Sequence, residues 1–250
     1  MSYIQKVLLL KMKTLIIPDV HGRKFWREPC GDMSRWDKVI FLGDYVDPYS
    51  GEATQEDVLT ELKDIIALKE VYKDKVVLLW GNHDLFYWCE PYRNELEYWS
   101  RHDYKRHDEI QAMFIQAKEL FQFAYSQGNI LFSHAGVNNE LAKTIAEECT
   151  TINADLINKY YEDNPKELAR VSMYRWGPDL HGSLVWCDVR EIYGNTPCKY
   201  LEDIFQIFGH TYAKKYIVTN HFAMLDVGGE WFQLNGKRLE DKNNNLLSES

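Results

Sequence analysis

Short apolar runs that stop abruptly at a polar residue constrain this chain most. LIIPD (residues 15 to 19), KVIFLGD (38 to 44), KVVLLWGN (75 to 82), NILFSH (129 to 134) and IFQIFGH (204 to 210) each read as a strand too apolar to have a wet face, ending in a carboxylate, amide or imidazole. Fully buried strands belong to sheets covered on both sides, and in layered α/β folds chemistry gathers at the edge where such strands end. Thr54 to Lys69 carries Val58, Leu62, Ile65 and Ile66 at helical spacing, with Thr54 and Asp57 set like a capping box, so the opening order is β, β, α, β. The spacing predicts further helix over 109–124 and 138–163, a structured loop over 164–187, and antiparallel strands and hairpins from 204 to 235.

With 250 residues, 45% of them hydrophobic, and no repeat or compositional shift, one domain spanning 1–250 is expected. Residues 1–11 read as an N-terminal extension and 241–250 as a flexible tail. The five cysteines form no CxxC pair and, being odd in number, no closed disulfide set, which points to a reducing, cytoplasmic setting. VLLL, flanked by Lys6 and Lys11, is too short for a membrane span or a signal core. A net charge of −9 disfavours nonspecific nucleic-acid or anionic-membrane binding, so a phosphate-bearing ligand needs a local positive centre.

The strand ends supply candidates for that centre. Asp19 and His21 stand in PDVHG, Asp44 and Asp47 in GDYVD, Asn82 and His83 in GNHD, His134 in SHAG and His210 in GHT. Singly, each motif is an ordinary turn or cap. Together they place oxygen and imidazole donors, most beside a glycine and none beside a cysteine pair, at successive strand ends, the donor set of manganese, iron or zinc rather than of a structural thiolate cluster. Two carboxylates as close as Asp44 and Asp47 also resist burial without a cation between or beside them.

In order and spacing these motifs resemble the signature of the calcineurin-like metallophosphoesterase superfamily over residues 14 to 228. GHT and SLVWCD (183 to 188) bring the likeness closer to the phosphoprotein phosphatase branch and the related symmetrical diadenosine tetraphosphatases. The resemblance implies an α/β fold, a four-layered αββα sandwich of two mixed sheets flanked by helices. It implies two divalent ions (Mn2+, Fe2+/Fe3+ or Zn2+), the first held by Asp19, His21 and Asp44, the second by Asp44, Asn82, His134 and His210. Such a pair activates a water and clamps phosphoryl oxygens. It further implies that His83 protonates the leaving group, with Asp47 fixing its ring.

The implied activity is hydrolysis of a phosphorylated substrate: phosphomonoesters, including phosphoprotein, or alternatively nucleotides in the diadenosine tetraphosphatase manner. A non-catalytic scaffold would instead have lost ligands, and every one is present. The sequence departs from that branch where GDxVDRG would supply a phosphate-gripping arginine, since Asp47 is followed by Pro48, and no RG pair follows Asp188. Arg175, Arg190 and Arg23 are the substitutes that sequence position suggests. Residues 85 to 107, with seven aromatics, read as the packing of a helical subdomain or as a wall for stacking bases.

Overall fold

The structure, a computed structural model, describes residues 12–96, 101, 105–146 and 151–247. The extension expected at 1–11, and Tyr98, Trp99, His102 and Tyr104 of the aromatic segment, lie outside the described residues.

In chain order the elements are β1 (Lys13–Ile17), α1 (Arg27–Cys30), β2 (Lys38–Phe41), α2 (Gln55–Tyr72), β3 (Val76–Leu79), α3 (Asn82–Trp88), α4 (Glu90–Leu96) and α5 (His107–Ala117). There follow β4 (Phe121–Gln122), β5 (Ala124–Gln127), β6 (Ile130–Ser133), α6 (Asn139–Ala146), α7 (Ala154–Asp163), β7 (Phe205–Phe208), β8 (Ile217–Val218), β9 (Phe222–Met224), β10 (Phe232–Asn235) and β11 (Arg238–Asp241). One sheet runs β11-β10-β1-β2-β3-β4 and the other β5-β6-β7-β9-β8. Both are mixed: β1, β2, β3 and β4 are parallel with β10 antiparallel to β1, while β6, β7 and β9 are parallel with antiparallel strands at each edge.

Side-chain alternation sorts the apolar runs into layers. Ile16, Ile40, Val77 and Leu79 meet Phe132, Ile207 and Ala223 in a core between the two sheets. Their sequence neighbours Leu15, Ile17, Val39, Phe41, Val76 and Leu78 pack on the opposite face, with Val58, Leu62 and Ile65 of α2 in the same cluster. Leu131 on the other sheet shares that cluster with Leu141 and Ile157 from α6 and α7. Two mixed sheets flanked by helices result, as the motifs imply. Thr54 Oγ1 accepts from Asp57 N at 3.1 Å and Asp57 Oδ2 from Thr54 N at 3.0 Å, so α2 begins with the expected capping box.

Four expectations need correction. The stretch predicted as helix over 138–163 holds two helices, α6 and α7, the second capped by Asn153, whose Oδ1 accepts from Leu156 N at 3.0 Å. The helix predicted over 109–124 ends at Ala117, because Phe121 and Gln122 pair with β3 and Phe121 stacks on Trp80 at 4.2 Å; the apolar residues suit either state and the sheet edge wins. In the run predicted as antiparallel, β7 and β9 are parallel neighbours, and β10 crosses to the first sheet. The segment read as a tail is docked as far as Leu247, whose amide donates to Leu239 O at 2.9 Å and whose side chain is buried in the intersheet core.

Candidate metal centre

Because β1, β2 and β3 run parallel in one sheet, and β6, β7 and β9 in the other, their C-terminal ends deliver the polar residues to one edge of the sandwich. A cleft of about 120 Å³ there is lined by Asp19, His21, Asp44, Tyr49, Asn82, His83, Arg101, Arg175, Trp186, His210 and Asp226. Asp47 and His134 stand directly behind these residues, both buried.

The backbone is unusual here. His21, Asp44, Asp47 and His210 all adopt positive φ (48° to 65°), four of the seven non-glycine residues that do so among those described. Left-handed conformations cost such residues energy, and a concentration at one site marks a place where side-chain aim outweighs local comfort. The adjoining glycines allow the loops to cross: a Cβ at Gly81 would lie 2.2 Å from Asp44 Oδ1, and one at Gly209 equally close to Asp19 Oδ1. Crosslinks hold the arrangement. His210 N donates to Asp19 Oδ1 at 2.9 Å, His83 N to Asp44 Oδ1 at 3.0 Å, and His21 N to Asp44 O at 2.7 Å. The buried Asp84 accepts from the amides of Asp44, Tyr45 and Gly81, pinning the second strand-end loop to the third.

Hydrogen bonds fix the ring tautomers. His21 Nδ1 lies 2.7 Å from Val46 O and His134 Nδ1 2.9 Å from Leu42 O. A carbonyl only accepts, so each Nδ1 carries the hydrogen and each Nε2 a lone pair. Burial lowers the pKa of both rings, that of His21 to about 3, so both are neutral near pH 7. The two lone pairs converge on Asp44 Oδ2, at 3.6 Å from His21 and 3.5 Å from His134. No hydrogen is available along either of those two contacts with Asp44, and His134 Nε2 also has His210 Nδ1 at 3.0 Å. His210 Nε2 is buried without a hydrogen-bond partner. Burial and then the Asp44 charge push Asp19 up to about 7, the cost of two carboxylates sharing a dry site.

A cation resolves these conflicts together. Asp19, His21 and Asp44 form one set of mutually close donor atoms, and Asp44, His134 and His210 a second, with Asp44 common to both. Asn82 Oδ1 lies 3.0 Å from His134 Nε2, beside the second set. The donors are oxygen and imidazole nitrogen with no thiolate, which suits borderline or hard divalent ions.

Behind the cleft, His83 Nδ1 donates to Asp47 Oδ2 at 2.9 Å, leaving Nε2 as the ring nitrogen available to the cleft. Burial disfavours the imidazolium, but the carboxylates of Asp44 and Asp47 outweigh it and raise the His83 pKa. Trp186, from the SLVWCD segment, donates from Nε1 to Tyr92 Oη at 2.7 Å, and Tyr92 in turn to Asn82 O at 2.8 Å.

The three arginines suggested by sequence position separate. Arg175 lines the cleft, donating to Thr211 Oγ1 at 2.9 Å and His210 O at 3.3 Å, while its buried Nε faces Asp188 Oδ2 at 3.5 Å without a hydrogen bond. Arg190 does not line it; it pairs with Asp188 at 2.6 Å and lies over Tyr174. Arg23 is also outside the lining, donating to Val20 O and Asp19 O and facing Glu52 at 3.5 Å. Sequence position overlooks Arg101, whose guanidinium sits 3.6 Å above the Tyr49 ring and donates to Asp47 O at 3.2 Å, beside the place the usual DRG arginine would leave. Its one sequence signal is a cation inside the aromatic segment that follows GNHD. Asp226 is overlooked as well, although FAMLD repeats the pattern of an apolar run ending in a carboxylate. Burial, then the nearby Asp19, push Asp226 up to about 8.

The family model described as calcineurin-like phosphoesterase matches residues 12–214, and the chain belongs to that family. No curated protein sequence matches it. Among solved structures it is similar to a cold-active protein-tyrosine phosphatase of a psychrophile, Shewanella sp. (TM-score 0.56, 15% identity, covering 92% of this chain and 77% of that one). It is also similar to a protein serine/threonine phosphatase from Saccharomyces cerevisiae with similarity to human phosphatase PP5 (TM-score 0.51, 15% identity, 93% and 80%). At these identities the likeness concerns the fold.

Proposed function

We propose that this chain is a dinuclear metal-dependent phosphoesterase that hydrolyses phosphomonoesters. The observation that carries the reading is the convergence of the His21 and His134 lone pairs on Asp44 Oδ2 in a buried site. Asp19, His21 and Asp44 would hold one divalent ion, and Asp44, Asn82, His134 and His210 the other. When bound, the pair supplies a local positive centre and an activated water for in-line attack on phosphorus. Arg175 and Arg101, reaching the cleft from separate segments, hold the phosphoryl oxygens by charge-assisted hydrogen bonds. His83 delivers a proton from Nε2 to the departing alkoxide, and Asp47 keeps Nδ1 protonated and the ring aimed.

The described aromatics of the segment that follows GNHD offer a dinucleotide no stacking wall. Phe86, Tyr87 and Tyr92 of the aromatic segment are buried, and the half-buried Trp88 packs on Trp80. Among the described residues no helix is long and apolar enough to cross a membrane.

The test is to strip the purified protein with a chelator, restore Mn2+, Fe2+ or Zn2+ singly, and follow metal stoichiometry beside hydrolysis of p-nitrophenyl phosphate. Two ions per chain and recovery of turnover are expected; full turnover by the stripped protein rejects the reading.

A further inference from the structure

Trp176 is 89% exposed, an unusual state for the largest apolar side chain, and its backbone is left-handed at φ 65°. The loop around it is not loose. Met173 N donates to Asp179 O at 2.6 Å, Asp179 N to Val171 O at 3.1 Å, Gly177 N to Ser172 O at 3.0 Å and Arg175 N to Ser172 O at 2.8 Å. Ser172 Oγ and Asp179 Oδ2 take two more amides of the same loop. A cross-braced loop thus holds an indole out in water, and no packing among the described residues accounts for it.

The neighbours give the loop its context. Arg175 points into the cleft and is anchored on Thr211, and the residue after Thr211 is the exposed Tyr212. Tyr174 is exposed and carries the Arg190 guanidinium on its ring; Met173 and Leu180 of the same loop are exposed too, as is Tyr49 within the cleft lining. Exposed apolar side chains thus adjoin in sequence two residues tied to the polar cleft, Arg175 and Thr211, on a loop whose backbone is braced, and Tyr49 lines the cleft itself.

The size of the cleft decides what these side chains contact. At about 120 Å³ it falls below the ~300–1,000 Å³ of pockets that enclose a whole small molecule. It takes the phosphoryl group and leaves the rest of the substrate outside. Binding energy beyond the phosphate must come from residues outside it, and rigid Trp and Tyr side chains are the residues that supply it at protein interfaces with little entropic loss.

We propose that the Met173–Leu180 loop, with Trp176 at its apex, is a docking element for the polypeptide segment flanking a phosphorylated side chain, and that it favours apolar flanking residues. This rests on the phosphoesterase reading of the same cleft.

Binding is the direct test, because it needs no turnover. Two peptides carrying a non-hydrolysable difluoromethylene phosphonate analogue of phosphoserine, one flanked by leucines and one by glycines, are titrated by calorimetry into the metal-loaded protein and its Trp176→Ala and Trp176→Phe variants. AMP serves as a third probe. The leucine peptide is expected to bind about tenfold more weakly to Trp176→Ala, with most of the loss recovered in Trp176→Phe, while the glycine peptide and AMP change little. Three results overturn the proposal: no binding of either peptide to the unsubstituted protein, equal affinity of the leucine peptide for all three proteins, or a loss for AMP as large as that for the leucine peptide. Hydrolysis of p-nitrophenyl phosphate by the same preparations reports on the phosphoesterase reading separately, since a protein that binds the leucine peptide without hydrolysing the ester loses that reading and keeps the docking surface.

Discussion

The hydroxyl of Tyr87 donates to Asp47 Oδ1 at 2.5 Å, while the other oxygen of the same carboxylate receives the Nδ1 hydrogen of His83 at 2.9 Å. Tyr87 is fully buried and stacked on His107, so the carboxylate that aims His83 is itself held from behind by a fixed phenol. Tyr87 is thereby a positioning residue, acting on the cleft through Asp47. Tyr87→Phe removes one hydrogen bond to a charged group, worth about 1.5–3 kcal/mol, without opening a cavity. We expect turnover of an alkyl phosphate to fall by about tenfold or more, that of a nitrophenyl ester much less, and KM to stay near its original value. His83→Asn should show the same selectivity more strongly. Equal losses on both esters would mean that Tyr87 serves packing alone.

Asp44 belongs to both donor sets, and its substitution separates a shared ligand from an ordinary buried carboxylate. Asp44→Asn keeps the side-chain size but removes the negative charge that both donor sets share. Turnover should become undetectable and bound metal should drop toward zero rather than to one ion per chain. Metal analysis by mass spectrometry after gel filtration checks this; a variant that retains two ions rejects the shared role.

The capping box of α2 allows a prediction far from the cleft. Thr54 Oγ1 and Asp57 exchange hydrogen bonds at the helix N-terminus, and Lys24 Nζ meets Asp57 at 2.6 Å. Thr54→Ala should cost about 1 kcal/mol, read as a lower Tm by about 2–4 °C for a chain of this size, with turnover unchanged. A Tm equal to that of the parent would mean that packing of Val58, Leu62 and Ile65 alone holds the helix start.

These cases show which features are local enough to read in a sequence. The Asp19, Asp44, Asn82, His134 and His210 positions are legible because each ends an apolar run, and fully apolar runs read as buried parallel strands, whose C-terminal ends share an edge. The capping box is legible because its two partners are three residues apart. Phe121 is not, since its apolar neighbours fit a helix as well as an edge strand and only the distant Trp80 and β3 decide between them. Leu247 is masked by the asparagines before it, although Asp241 holds the amides of Asn243 and Asn245 in a turn that brings it home. Arg101 is the clearest case. It reaches Asp47 across 54 positions of sequence, and no pattern around it distinguishes it from a solvated arginine.

That contrast sets the last prediction. Sequence position suggests Arg175, Arg190 and Arg23 for the phosphate grip, whereas only Arg175 of these lines the cleft, and Arg101 joins it there. Arg190 and Arg23 are engaged with Asp188 and with main-chain carbonyls. Each charge-assisted hydrogen bond to phosphate is worth about 1.5–3 kcal/mol, so Arg101→Ala and Arg175→Ala should each lower kcat/KM toward p-nitrophenyl phosphate by about ten- to a hundredfold, with bound metal unchanged. Arg101→Lys should recover little, because a lysine cannot stack flat on Tyr49 while presenting a planar fork of donors. Arg190→Ala should stay within about threefold, the scale of a surface ion pair. If Arg190→Ala proves as damaging as Arg175→Ala while Arg101→Ala keeps full efficiency, the grip follows sequence position and not the cleft lining.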